Sequence, residues 1–184
     1  MEEAFHISDP RTLKVVAHPL RVRLLGLLRA EGPATASALG RKVGESSGST
    51  SYHLRELAKY GFIEEDPSPD ARERRWRARH RYTEWNTAEL SATPEGREAV
   101  TIMALRQIEA IVRSMEEFQA DDWPAEWIEA AGMGDALVRL TPEGVKEYFA
   151  RVADLQRELE ARYGDAASAE QVHLGTTAFP RRKR

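Results

Sequence analysis

The chain has 184 residues, 41% of them hydrophobic and 31% charged, with a formal net charge of −3 at pH 7, a length that fits one large domain or two small ones. It contains no cysteine, which excludes disulfides, thiolate metal sites and cysteine nucleophiles. The opening MEEAFHISDP is acidic and has no apolar run of the kind a secretory signal needs, and nothing approaches the ~20 apolar residues of a membrane helix, so the expected product is a soluble cytoplasmic protein without membrane contact.

Charge is divided unevenly along the chain. Residues 1–82 carry 15 Lys+Arg against 11 Asp+Glu, whereas residues 83–184 carry 12 against 19. A basic first part beside an acidic second part implies two tasks.

From Pro10, the stretch PRTLKVVAHPLRVRLLGLLRAEG puts Pro19 in the first turn of a helix, Leu20, Leu24, Leu27 and Leu28 on one face, and Gly32 at its end. TASALGRKVG follows as a shorter helix, capped by Thr35 or Ser37, with Leu39 and Val43 on its apolar side. After the turn GESSG, STSYHLRELAKYG predicts a third helix over about 47–60. Thr50, Leu54, Leu57 and Ala58 share one face and Gly61 stops it. Its other side presents Ser49, Tyr52, Arg55, Glu56 and Lys59, with Ser47 and Gly48 at the start. Two short helices joined by a tight turn, the second small and polar at its beginning, make a helix-turn-helix. Small hydroxyl residues let such a helix end approach DNA, its amides and positive dipole end favour phosphate, and side chains further along reach base edges. For Tyr52, packing against the neighbouring helix is the alternative.

FIEED then reads as a short strand and PSPDARER as a turn. The run RERRWRARHRYTEW follows, with six arginines in the ten residues from Arg72 to Arg81. Arg75, Arg77, Arg79 and Arg81 alternate with Trp76, Ala78, His80 and Tyr82, the period of a strand. A helix would wrap arginines around every side. A strand turns Trp76, Ala78 and Tyr82 inward and holds a comb of guanidinium groups outside. Arg72, Arg74 and Arg75 fall at or near the hairpin tip, whereas Arg79 and Arg81 lie nearer Glu64 and Glu65 and are either DNA contacts or internal ion-pair partners.

In AHPLRVRLLGLL, in SxSYHLRELxKYGFIEE and in the Arg-rich second strand, together covering roughly 12–82, the sequence resembles the ArsR-type winged helix-turn-helix transcription regulators. The resemblance implies a recognition helix over about 47–60 in the major groove and a wing over about 62–82 on backbone or minor groove. It makes Ser47, Ser49, Ser51, Tyr52, His53, Arg55, Lys59, Arg72, Arg74, Arg75 and Arg77 the candidate DNA contacts. Many relatives of that type sense metals through cysteines or clustered His and Asp. Here His6, His18, His53, His80 and His173 are scattered, and a divalent ion needs three or four ligands held together, so neither metal nor cofactor is expected. There is no glycine-rich phosphate loop, GxSxG elbow or HExxH. The neighbouring carboxylates Asp121-Asp122 and Glu116-Glu117 diverge by about 100° on a helix, which makes no catalytic dyad. An enzyme is not expected.

In the acidic half, residues 84–92 read as a connector. Thr93 caps and Pro94 starts a long helix with Val100, Ala104, Ile108, Ile111, Met115 and Phe118 along one stripe. Pro124 and Gly132 bound a short helix on which Trp123 and Trp127 are neighbours. ALVRL (136–140) has the look of a brief strand. A second TPEG at Thr141 starts another long helix with the stripe Val145, Tyr148, Phe149, Val152, Leu155, Leu159 and Tyr163. QVHLGTTAF alternates like a strand, and RRKR (181–184) is a basic tail. The expected fold class is mainly α with small β elements: a winged helix-turn-helix domain over 8–83, and over 93–180 a helical or α+β region for dimerisation. Trp85, Trp123, Trp127, Tyr148 and Phe149 either line a pocket for an apolar small-molecule effector or form ordinary core. The expected function is a homodimeric, sequence-specific transcription regulator binding double-stranded DNA at an inverted-repeat operator. The alternative is a winged-helix protein-interaction module without DNA binding.

Overall fold

The structure, a computed structural model, describes residues 2–67, 74–118 and 122–182. Contacts divide the chain into two compact units, Met1–Ala110 and Ile111–Arg184.

The first unit opens with strand β1 (Glu2–Ile7) and helix α1 (Pro10–Val16). The Asp9 carboxylate caps α1 by accepting from the Arg11 and Thr12 amides at 3.0 Å, the role expected of an N-cap aspartate. Helix α2 (Pro19–Ala30) starts on Pro19, as the sequence predicts, and buries Leu20, Leu24, Leu25 and Leu28. Leu25 takes the buried place expected of Leu27, which is half-buried. After strand β2 (Ala34–Thr35), helix α3 (Ala36–Val43) is capped by Thr35, whose Oγ1 accepts from the Ala38 amide at 3.2 Å. That settles the choice between Thr35 and Ser37. Gly44, at φ 73°, turns the chain into helix α4 (Ser47–Lys59), capped by Ser46.

The crossing of α3 and α4 is tight because Gly40 has no side chain. A Cβ there would lie 2.8 Å from the Glu45 carbonyl oxygen and 3.0 Å from Thr50 Oγ1. Thr50 itself is fully buried, and its hydroxyl donates to the Ser46 carbonyl at 2.9 Å, so its polar atom is satisfied in the core.

Strands β3 (Ile63–Asp66) and β4 (Arg75–Ala78) form an antiparallel hairpin, and β2 adds to the other edge of β4. The register is Ile63 opposite Ala78, Glu64 opposite Arg77, Glu65 opposite Trp76 and Asp66 opposite Arg75. The arginine comb is therefore a strand, but it breaks at Arg79. Strand β5 (His80–Trp85) leaves this sheet and pairs in parallel with β1. Trp76, Ala78 and His80 point inward, as alternation predicts, whereas Tyr82 is 41% exposed and not core. The more buried phase has slipped to Thr83 and Trp85, which pair with Phe5 and Ile7 of β1, whereas Tyr82 and Glu84 are exposed.

The stretch read as a connector is thus partly structural. Glu84 and Trp85 belong to β5, and Thr87–Leu90 form a short helix, α5, capped by Asn86. Helix α6 (Pro94–Glu117) buries Gly96, Ala99 and Met103 in the same core as Leu13, Leu24, Leu54, Leu57, Phe62 and Trp76. The Lys14 ammonium meets Glu98 at 2.5 Å. The first unit accordingly runs well past residue 83, because the start of α6 completes its core. Arg29 crosses from α2 to β5, donating to the His80 carbonyl at 3.0 Å and to Thr83 Oγ1 at 2.7 Å. Burial draws this guanidinium down to about 10, so it still carries its charge at neutral pH.

The second unit holds the end of α6, helix α7 (Ala125–Ala130) and helix α8 (Pro142–Tyr163). Two expected strands are absent. Neither 136–140 nor 171–179 pairs with another strand, and among its described residues the second unit is helical or irregular rather than α+β. Alternation specifies a strand only where a neighbour accepts its hydrogen bonds; here Leu137, Val138, Val172 and Leu174 remain mostly exposed. The C-terminal stretch instead lies on the end of α6, with His173 Nδ1 2.7 Å from Ser114 Oγ and Gly175 against Ile111. No helix among the described residues is long and apolar enough to cross a membrane. A winged helix-turn-helix domain followed by a helical C-terminal region describes the fold.

Candidate nucleic-acid interface

Helix α4 is held from behind. Thr50, Leu54 and Leu57 are fully buried, whereas Tyr52, Arg55 and Lys59 are exposed at helical spacing on the opposite side. Ser47 and Gly48, in the first turn, are also exposed, and Ser49 and Ser51 are half-buried. Tyr52 is 52% exposed, with its ring edge-on to that of His53 at 5.1 Å.

His53 has a different setting. Its ring stacks on His18 with centroids 4.4 Å apart, and its Nδ1 lies 3.3 Å from Arg21 Nε, which donates to it. His18 Nδ1 in turn accepts from the Leu20 amide at 3.2 Å as the cap of α2. Both Nδ1 atoms face N–H donors that cannot reverse, so both rings are held neutral with the proton on Nε2. The pair fixes α4 against the start of α2. The sequence carried no signal for this, since His18 and His53 are 35 residues apart.

Burial lowers both imidazoles below their ordinary 6.5. Mutual repulsion, Arg21 and Arg106 add to the effect at His18; Arg21 adds to it at His53, where Glu45 and Glu56 oppose it. Because the folded state binds protons less readily than the unfolded chain, stability is full above 6.5 and falls as pH drops through the window between the unfolded and folded values, levelling off below the latter. Denaturant midpoints measured from pH 7.5 to 5 should show that loss, and His53→Asn, which keeps an acceptor but cannot titrate, should flatten it. An unchanged slope in the variant would remove the pair from the account.

The wing arginines are less free than a bare comb. Arg77 meets Glu64 at 2.7 Å and Asp66 at 3.9 Å, Arg79 meets Glu64 at 3.6 Å, and Arg74 meets Glu65 at 3.1 Å while lying over the Trp76 ring at 5.7 Å. Arg75 Nη2 donates to the Pro33 carbonyl at 2.6 Å. The sequence reading expected Arg79 and Arg81 near Glu64 and Glu65. Arg79 does reach Glu64, but the register brings Arg77 there as well, and Arg74 meets Glu65. Arg72 lies outside the described residues. Exposed pairs of this kind contribute only about 0.2–1 kcal/mol each and weaken with salt, so an incoming phosphate can replace any of these carboxylates.

Between α3, α4 and the wing lies a cleft of about 310 Å³ lined by Thr35, Ala36, Ser37, Ser51, Arg55, Arg74 and Trp76. Of these, the sequence marks Ser51, Arg55 and Arg74 as candidate DNA contacts and Thr35 and Ser37 only as alternative caps.

Trp85 packs against the core of the first unit. In the second unit Phe118, Trp123 and Trp127 form a ladder with centroids 5.9 Å apart at each step, and Tyr148 and Phe149 form a pair at 5.7 Å. Among the described residues no three His, Asp or Glu side chains gather as metal ligands.

A comparison with curated proteins finds no match. Residues 16–66, from the end of α1 through β3, match the family model of a helix-turn-helix domain.

Proposed function

We propose that the protein is a sequence-specific transcription regulator of the ArsR-like winged type, acting in the cytoplasm as a homodimer on an inverted-repeat operator in double-stranded DNA. The observation that carries the reading is the two-sidedness of α4. Its buried side fixes the helix, and its other side offers Tyr52, Arg55 and Lys59 to a partner. In this reading α4 enters the major groove with Ser47, Ser49 and Ser51 near its leading end, while Arg74, Arg75 and Arg77 meet phosphates or a narrow minor groove. His53 acts from behind, by holding the helix. The second unit dimerises, and the half-exposed Trp123 and Trp127, with Tyr148 and Phe149, receive an apolar effector.

If each subunit neutralises three to five phosphates, the dimer should lose affinity with salt at a log–log slope of roughly −5 to −9. Arg74→Gln should weaken binding to every sequence and flatten the slope by about 1 per subunit, whereas Tyr52→Ala should change sequence preference at nearly constant slope. Titration of selected and random duplexes at several salt concentrations reads both. Salt-insensitive binding, or identical profiles for the wild type and the two variants, would overturn the assignment.

A further inference from the structure

We propose that the cleft between α3, α4 and β4 is a seat for a single phosphate group, completed by Ser37 and Thr35 of the α3 end, outside both recognition helix and wing. It rests on the DNA-binding reading above and deepens it.

The lining is unusual for this chain. Among the described residues no carboxylate lines the cleft, which combines the hydroxyls of Thr35, Ser37 and Ser51 with the guanidinium groups of Arg55 and Arg74. Arg55 and the hydroxyls of Ser37 and Ser51 make no hydrogen bond or ion pair among the described residues. Their capacity is therefore unused. Thr35 Oγ1 accepts from the Ala38 amide, which leaves its hydroxyl proton to donate. Two cations and three hydroxyls lining one cleft, with no carboxylate among its described lining, fit a tetrahedral oxyanion, and charge-assisted hydrogen bonds of this kind are the strong ones.

Arg74 distinguishes a seat from a mere basic surface. It stands over Trp76, which is 5% exposed in the core, and among the described residues it pairs with Glu65 at 3.1 Å. A phosphate in the cleft would take over from Glu65 and join β4 to α4 through Arg74 and Arg55, fixing the wing relative to the recognition helix. The polar lining and 310 Å³ volume leave room for an ester substituent. The shared chemistry is a phosphate oxyanion, from either a DNA backbone diester or a free phosphate.

The test uses the full chain labelled with nitrogen-15. The Nε–Hε signals of Arg55 and Arg74 and the Ser37 amide are followed during titration with a random-sequence duplex and, separately, with inorganic phosphate. The three signals should move together with the duplex. Arg55→Gln should abolish the shifts at Ser37 and Arg74 and lower duplex affinity about 10-fold, and Ser37→Ala, which leaves the Thr35 cap intact, should lower it about 3-fold. Movement with the duplex alone identifies the backbone as the source; movement with inorganic phosphate as well means that free phosphate competes for the seat. Both results support it. If the duplex binds while the three signals stay still, and phosphate leaves them still too, the seat is wrong and the DNA reading stands. If phosphate moves them but no duplex binds, the DNA reading fails and the seat remains.

Discussion

Ile108→Asp should yield a folded monomer whose affinity for a duplex with two half-sites is lower by about 100-fold or more, the order expected when a second binding event ceases to be intramolecular. The long helix α6 buries Ala99 and Met103 near its start, but further along Leu105, Ile108, Val112 and Met115 are each about half exposed. They recur at spacings of three and four and so form one stripe. Helix α8 has no buried residue in the single chain, and Tyr148, Phe149, Leu155, Leu159 and Tyr163 are all exposed along it. Apolar surface of this extent is characteristic of an interface, and a two-fold copy is the partner that would also double the DNA contacts. An aspartate at position 108 is tolerable in the monomer, where the site is exposed, and costly in a dimer, where it would be desolvated against apolar neighbours. Sedimentation, circular dichroism and titration of a selected duplex with half-sites ~34–36 Å apart together read the result. A variant that stays dimeric, or a monomer that keeps wild-type affinity for the two-site duplex, would end the dimer proposal.

The parts legible in the sequence were those with local causes. Pro19, Thr35, Thr93 and Thr141 mark helix starts with their own side chains, and Gly44 and Gly61 turn the chain with positive φ. The face of α4 follows from the spacing of Thr50, Leu54 and Leu57. What escaped depends on distant partners. β1 pairs with a strand some 80 residues away, and that pairing shifts the inward phase after Arg79, so Tyr82 is left outside. The alternating stretches 136–140 and 171–179 carry the pattern of strands but find no neighbour. Which carboxylate each wing arginine meets depends on hairpin register, and a shift of one residue reassigns every pair. The cleft combines three elements, and only its α4 and wing residues carried a signal of their own.

Gly96→Ala should destabilise the protein by about 3 kcal/mol or more, while Gly144→Ala, in the same four-residue word, should be neutral or stabilising by up to about 1 kcal/mol. Both glycines belong to a TPEG that starts a long helix, and in both the threonine hydroxyl accepts the glycine amide, at 3.0 Å in α6 and 3.2 Å in α8. Locally they are equivalent. Their surroundings are not. A Cβ on Gly96 would fall 1.7 Å from the Leu90 carbonyl oxygen and 2.6 Å from its carbon, backbone atoms at the end of α5 that cannot rotate away. A Cβ on Gly144 would meet first the Leu140 side chain, at an ordinary 3.4 Å. Gly96 is thus what lets α6 leave the winged unit directly beneath α5 and bring Ala99 and Met103 into the core. Replacing it forces those elements apart, whereas alanine at position 144 only improves helix propensity. Thermal denaturation of the two variants is the measurement, with the Gly96 change lowering Tm by about 10 °C and the Gly144 change leaving it level or raised. Equal shifts in the two would mean that the α5–α6 joint is not close-packed, and that the start of α6 is set by its cap alone.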